Sequence, residues 1–224
     1  MCGRFSLGAS AATLANHFNV QESVSWHESY NLAPSQTVLT IVQPAGAARE
    51  MRRMRWGLIP SWARDPAIGN QLINARAETV ATKPAFRTAL RERRCLIVTD
   101  GFYEWEALGR RKQPWYIRRK DGRPFAFAGL WDRWTDPAGT EIQSCTIITT
   151  TPNALIQRFH HRMPVILSQA DYDLWLDVRI REMDRLLPLL TPYPPEEMTV
   201  YPVSAFVNNP ANDSPACQSP GVDE

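Results

Sequence analysis

The 224-residue sequence has no apolar run near the ~18 residues that a membrane-spanning helix requires. It also has no basic segment leading through an apolar stretch to a small-residue cleavage site. A soluble, intracellular protein is expected, cytoplasmic in location. Cysteine is scarce: Cys2, Cys95, Cys145 and Cys217 lie far apart, without a C-x-x-C pair and too thinly spread for a disulfide framework. They read as reduced thiols, and Cys95 and Cys145, among apolar and β-branched neighbours, as inert core residues. Neither the cysteines nor the four histidines show ligand spacing, so no metal site is expected. The absence of any G-x-G-x-x-G or Walker-type loop argues against nucleotide binding by those routes. No cofactor is implied.

Acidic residues are locally depleted. Residues 49–94 carry eleven Arg and Lys against four acids, whereas residues 140–224 carry five against eleven, within a chain of formal net charge +2. Such a block is either a solvated surface or an anion-binding face, with phosphate the obvious anion. With 44% hydrophobic residues the chain can bury a full core, and a single large domain is expected.

The pattern is a strand-rich α+β one. Ser10 followed by Leu14 and Phe18 predicts a short helix over 10–19. β-Branched and aromatic runs predict strands at 38–42, 51–56, 95–99, 115–118, 125–130, 145–150 and 165–167. Asp121-Gly122 reads as a hairpin turn between two of them. Helices are expected over 77–93 with a break at Pro84, over 152–159 behind a Thr151 cap, and over 168–177 and 182–190. The 18 prolines cut the chain into brief elements, and the last dozen residues read as disordered.

Chemistry concentrates at a few places. Removal of Met1 would leave Cys2 with a free α-amine, pKa about 7.7–8.0, and a thiol of about 8.5, two nucleophiles on one residue. The pair can attack one aldehyde: the amine forms a Schiff base, the thiol adds to the same carbon, and a five-membered thiazolidine closes. Three further segments set a polar group among bulky neighbours: Asn74 after Leu72-Ile73, Glu104 between Tyr103 and Trp105, and His160-His161 before Arg162-Met163-Pro164. Taken alone, Asn74 also reads as a helix cap, Glu104 as an exposed edge carboxylate, and one of the two histidines as solvent-facing or structural.

Met1-Cys2-Gly3-Arg4-Phe5, Tyr30-Asn31-Leu32-Ala33-Pro34, Met54-Arg55-Trp56-Gly57-Leu58-Ile59-Pro60, Ile73-Asn74-Ala75-Arg76-Ala77-Glu78, Gly101-Phe102-Tyr103-Glu104-Trp105, His160-x-Arg162-Met163-Pro164 and Pro202-Val203-Ser204 follow one another in the chain. In that order they resemble the landmarks of the SOS-response-associated peptidase (SRAP) family across about residues 2–210. The resemblance implies one α+β domain over 1–210, an open barrel-like, mostly antiparallel sheet with short surrounding helices and a positive DNA channel, and a disordered tail over 211–224. It implies coupling to abasic sites in single-stranded DNA through Cys2, with Asn74 holding the Cys2 end, Glu104 orienting the amine and moving protons, and His160 assisting ring opening and reversal. Arg4, Arg76 and Arg162 would contact phosphates, and Trp56, Trp62, Phe86 and Trp105 would wedge or stack against bases, although each aromatic is also a core candidate. The implied partner is single-stranded DNA containing abasic sites, met by a monomer without metal or membrane and nucleoid-associated when bound. Two rival functions remain open: a peptidase using Cys2 as N-terminal nucleophile, and a non-covalent single-strand binder.

Overall fold

The computed structural model describes residues 2–21 and 24–221. Thirteen strands dominate them. In chain order they are β1 (Phe5–Leu7), β2 (Ser29–Leu32), β3 (Thr37–Val42), β4 (Glu50–Trp56), β5 (Asn74–Arg76), β6 (Arg94–Thr99) and β7 (Gly101–Leu108). The series continues with β8 (Arg111–Arg119), β9 (Phe125–Thr135), β10 (Glu141–Thr150), β11 (Met163–Pro164), β12 (Ile166–Leu167) and β13 (Met198–Pro202). The helices are short: α1 (Ala11–Phe18), α2 (Arg87–Glu92), α3 (Tyr172–Leu176) and α4 (Met183–Leu186). None is long and apolar enough to cross a membrane among the described residues.

Two sheets form. The smaller runs β13-β8-β7-β1-β2, and the larger runs β11-β10-β4-β3-β6-β9-β12. In the larger sheet β9 also pairs with β10 over seven residues, so the path turns back on itself into a partial barrel. Its seam is a two-residue parallel contact, Ser144↔Arg55 and Cys145↔Trp56. β5 adds a second parallel contact to β10, and every other pairing is antiparallel. The fold is therefore the α+β, mostly antiparallel one that was expected.

The strands of the larger sheet are buried in continuous runs, at residues 38–42, 94–99, 125–130 and 144–150, so side chains on both faces of the sheet are covered. Phe5 is the keystone for the N-terminus. It packs at 5.1 Å from Trp56 and edge-on at 5.7 Å from Phe127, while its backbone pairs with Leu32 and Phe102. Anchoring Phe5 between sheets fixes where the three residues before it must lie.

α1 forms as its sequence dictates. Ser10 accepts the Thr13 amide, Leu14 and Phe18 are buried, and Asn19 ends the helix in the left-handed region at φ 53°. Other expectations need correction. Asp121-Gly122 does make a turn, with Gly122 at φ +68°, but β8 pairs with β7 and β13 whereas β9 pairs with β6, β10 and β12. The turn passes the chain between sheets and closes no hairpin. Residues 77–86 form turns and a bend, leaving only α2 helical in that stretch, and in place of a helix over 152–159 residues 154–159 form turns capped by Asn153, whose Oδ1 accepts the amides of Leu155 and Ile156.

The C-terminal stretch is not loose up to residue 221. Cys217 is buried with Tyr103, Tyr116, Val203 and Val207, and the Asp213 carboxylate accepts from the Ser29 hydroxyl and the Tyr30 amide. Val203 bridges Pro220, and Gln218 donates to the Tyr116 hydroxyl at 2.9 Å. Proline and asparagine suggested disorder by composition, but here they shape tight turns against an aromatic surface. The expectation of a disordered tail at residues 222–224 lies outside the described residues.

Candidate active site

Cys2 lies fully buried just before β1, its thiol free of any disulfide. Asn74, the first residue of β5, donates from Nδ2 to the Cys2 carbonyl at 2.9 Å. The other end of that amide, Oδ1, is buried and has no hydrogen-bond partner among the described residues. Parallel pairing of Asn74 with Ile147 on β10 sets this reach. Burial pushes the Cys2 thiol well up, the nearby Glu104 charge adds to the rise, and the Arg4 backbone N–H opposes it.

Beside Cys2 is a cleft of about 510 Å³ lined by Arg4, Glu104, Trp105, Lys112, His160 and Asn208. Glu104, on β7, is 5% exposed, and burial raises its pKa to about 7. A carboxyl group half-ionised at neutral pH can both give and take a proton. His160 accepts the Arg162 backbone N–H at Nδ1, 2.9 Å away, which leaves its neutral ring protonated at Nε2. Burial chiefly lowers its pKa, to about 4, and the ring stacks on exposed His161 at 4.3 Å. Of the two adjacent histidines, His160 is thus the one at the cleft.

The cationic residues divide by what already holds them. Arg4 lies 5.8 Å over the Trp105 ring and donates to Asn31 Oδ1 at 2.7 Å and to the Val207 carbonyl, while its buried Nε has no partner among the described residues. Trp105 is itself pinned through Nε1 to Asn208 at 2.7 Å. Arg76 follows Asn74 by two residues on β5, so both side chains leave the strand on one face, and Arg76 is exposed without an ion pair among the described residues. Arg162 is different. Its guanidinium, in a residue only 7% exposed, grips Glu78 in a fork of 2.6 and 2.9 Å and also donates to the Thr149 carbonyl. The same residue's amide fixes His160, so Glu78 and Arg162 hold the imidazole in place.

The aromatic residues separate cleanly. Trp62 is 59% exposed on a turn held by the Ser61 amide to Asp132 at 3.0 Å and by Trp134 Nε1 to the Ala63 carbonyl at 2.7 Å. Behind it Gly57 sits at φ +124°, where an added Cβ would fall 2.5 Å from the Gly69 carbonyl oxygen, so the loop base admits only glycine. Trp56 and Phe86 are corrections: both are buried in the core, and Trp56 spends its Nε1 on the Ile73 carbonyl. Neither has a face to offer a base. Lys112 and Asn208 were missed; a lysine near a strand turn and an asparagine in a polar tail carry no local signal, although Asn208 follows the Pro202-Val203-Ser204 landmark closely.

Residues 1–210 match the sequence model of the family described as SOS response associated peptidase (SRAP). The chain is 45% identical over 219 residues to the abasic site processing protein YoqW of Bacillus subtilis, covering 96% of this chain and 97% of that one. It is 32% identical to the abasic site processing protein HMCES of Gallus gallus, over 98% of this chain and 78% of the relative. In fold it is similar to a protein of Bacteroides thetaiotaomicron solved by X-ray crystallography, with a TM-score of 0.90, 31% identity and coverage of 98% and 100%. With a match over nearly its whole length, the chain belongs to the SOS response associated peptidase family.

Proposed function

We propose that this protein processes abasic sites in single-stranded DNA by coupling Cys2, once Met1 is removed, to the aldehyde of the ring-opened deoxyribose. The observation that carries the reading is the anchoring of the Cys2 carbonyl by Asn74 beside a buried Glu104 of pKa about 7, at the edge of a cleft bearing Arg4 and Lys112. The relatives named abasic site processing proteins support abasic sites as the target.

The chemistry follows from the groups. The Cys2 amine adds to the aldehyde carbon, and loss of water, aided by a proton from Glu104, leaves an imine. The Cys2 thiol then adds its sulfur to that carbon while its proton passes through Glu104 to the nitrogen, and the thiazolidine closes. The raised thiol pKa makes this assisted transfer necessary, because little free thiolate exists at neutral pH. Neutral His160, protonated at Nε2, serves as hydrogen-bond donor to the sugar oxygen. Its depressed pKa makes it a poor cationic acid at pH 7, which refines the role first assigned to it and leaves Glu104 as the main proton carrier. Arg4 and Arg76 take phosphates, and exposed Trp62 with Trp105 offers ring faces to neighbouring bases.

Denaturing electrophoresis after incubation with abasic single-stranded DNA tests the proposal. A heat-stable shifted band is expected from the wild type, whereas Cys2→Ser keeps the amine and should yield an adduct only after borohydride trapping. Equal heat-stable adduct from both proteins rules out the thiazolidine. Peptide cleavage without a band would favour the peptidase, and a shift confined to native gels the non-covalent binder.

A further inference from the structure

The basic block of residues 49–94 does not form one track to Cys2. Arg52, Arg93 and Arg94 face a second cavity of about 470 Å³, joined there by Arg133 of β9 and by Arg181 beyond α3. None of its lining residues belongs to the cleft. Its walls include Val42, Pro44, Ala45, Val178 and the Trp131 ring, and Glu92 is the only carboxylate in the lining among the described residues.

The five guanidiniums are unequally neutralised. Arg52 pairs with Glu50 and lies 5.1 Å over the Trp131 ring, and Arg93 is 3.5 Å from Glu92 and 3.2 Å from Asp132. Arg133 is largely exposed, with Glu141 no closer than 3.9 Å. Arg94 is 1% exposed and gives all five of its hydrogen bonds to carbonyls, those of Leu90, Arg91, Trp175, Asp177 and Ile180. Carbonyls satisfy its donors but leave its charge uncancelled. Burial lowers its pKa to about 10, Asp177 opposes the fall, and the like charge of Arg181 adds to it. Arg94 and Arg181 therefore repel each other, and Arg181 has no ion pair of its own among the described residues. An anion between them would relieve that repulsion.

We propose that this cavity binds a nucleoside phosphate, its phosphate held by Arg181, Arg133 and Arg93 in the field of Arg94, and its apolar body against Trp131 and Pro44. Guanidinium forks match phosphate oxygens, the apolar wall suits a sugar or base, and the volume lies in the usual range for small-molecule sites. The mode needs no glycine-rich loop, so it is compatible with the absence of one. It involves no covalent step and stands independently of the abasic-site reading. The nucleotide is either free or the 5′ end of a strand, two sources of the same chemistry.

Calorimetric titration of the full chain separates these cases, with adenosine monophosphate, inorganic phosphate, and a trinucleotide with or without a 5′-phosphate as probes. Adenosine monophosphate should bind more tightly than inorganic phosphate. The double change Arg133→Gln, Arg181→Gln should weaken it about tenfold or more, at an unchanged melting temperature, since both side chains are exposed. Arg133→Gln alone should show a smaller loss in the same direction. Lys112→Gln, in the cleft, should leave nucleotide binding intact. Tighter binding of the 5′-phosphorylated trinucleotide than of the mononucleotide assigns the site to strand ends, and the reverse assigns it to free nucleotide. No heat with any phosphate probe overturns the proposal. So does loss in Lys112→Gln equal to or greater than that in the double variant, because the binding would then belong to the cleft or to diffuse surface charge.

Discussion

A carboxyl group buried at the floor of a cleft lowers stability once it is forced to ionise there. Glu104 ionises at about pH 7 in the folded chain and near its ordinary 4.5 when unfolded. The unfolded state therefore releases this proton first as pH rises. Its contribution falls between pH 4.5 and 7, and above 7 the loss is complete, roughly 3 kcal/mol by the linkage relation. Glu104→Gln removes the penalty together with the proposed proton carrier. In urea unfolding the variant should match the wild type near pH 4 and exceed it near pH 8, while crosslinking slows by about 100-fold or more. A variant no more stable at pH 8 would show that Glu104 is not held near neutrality by burial. His160 acts in the other direction: its depressed pKa means that stability is lost as pH falls from 6.5 toward 4.

The elements that build the site are joined by one buried asparagine. Asn31 on β2 donates from Nδ2 to the carbonyls of Val207, Asn209 and Asn212 at 3.2, 3.0 and 2.6 Å, and accepts Arg4 at Oδ1. It thereby ties the N-terminal strand, the C-terminal turns and the cleft arginine together. Asn31→Ala strands several buried polar groups at once and should cost about 2–4 kcal/mol in urea unfolding, with slower crosslinking because Arg4 loses its brace. An unchanged unfolding midpoint would mean that the tail docks through Cys217 and Asp213 alone. Much of this architecture was legible in the sequence. Strands such as 95–99 were readable because their apolar content is local, and Ser10 announced α1. Pairing was not: Asp121-Gly122 is a good turn, but β8 finds its partners in β7 and β13 through cross-strand contacts that no local motif encodes. Trp56 and Trp62 look alike as letters, six residues apart, yet one fills the barrel and the other stands in solvent. The family landmarks named Cys2, Asn74, Glu104 and His160, but only the fold brings β5, β7 and the segment before β11 to one place. Glu78 was visible in its motif without a role, because its partner Arg162 lies 84 residues away.

At the scale of the whole molecule, charge is sorted by the fold more finely than by the sequence. The eleven cations of residues 49–94 read as either a solvated surface or one anion-binding face, but Arg52, Arg93 and Arg94 surround a cavity separate from the cleft, and Arg53 lines a hollow with Trp26 and Asp213. Arg76, by contrast, lies on the same strand face as Asn74, which holds the Cys2 carbonyl, and is unpaired among the described residues. If DNA follows the cleft, Arg76 is a phosphate contact and Arg53 is not. Arg76→Ala should then weaken binding to undamaged single-stranded DNA and reduce the slope of log affinity against log salt by about 0.7, the value for one phosphate on a single strand. Arg53→Ala, with the same loss of formal charge, should leave the slope unchanged. Because it is Asn74 and not Arg76 that hydrogen-bonds Cys2 among the described residues, removing the Arg76 side chain should slow crosslinking to DNA while sparing reaction of the processed N-terminus with a small free aldehyde. Equal slopes for the two variants would mean that DNA senses only the net charge of the protein, and recognition of damage would then rest on the pocket of Cys2, Glu104 and His160 alone.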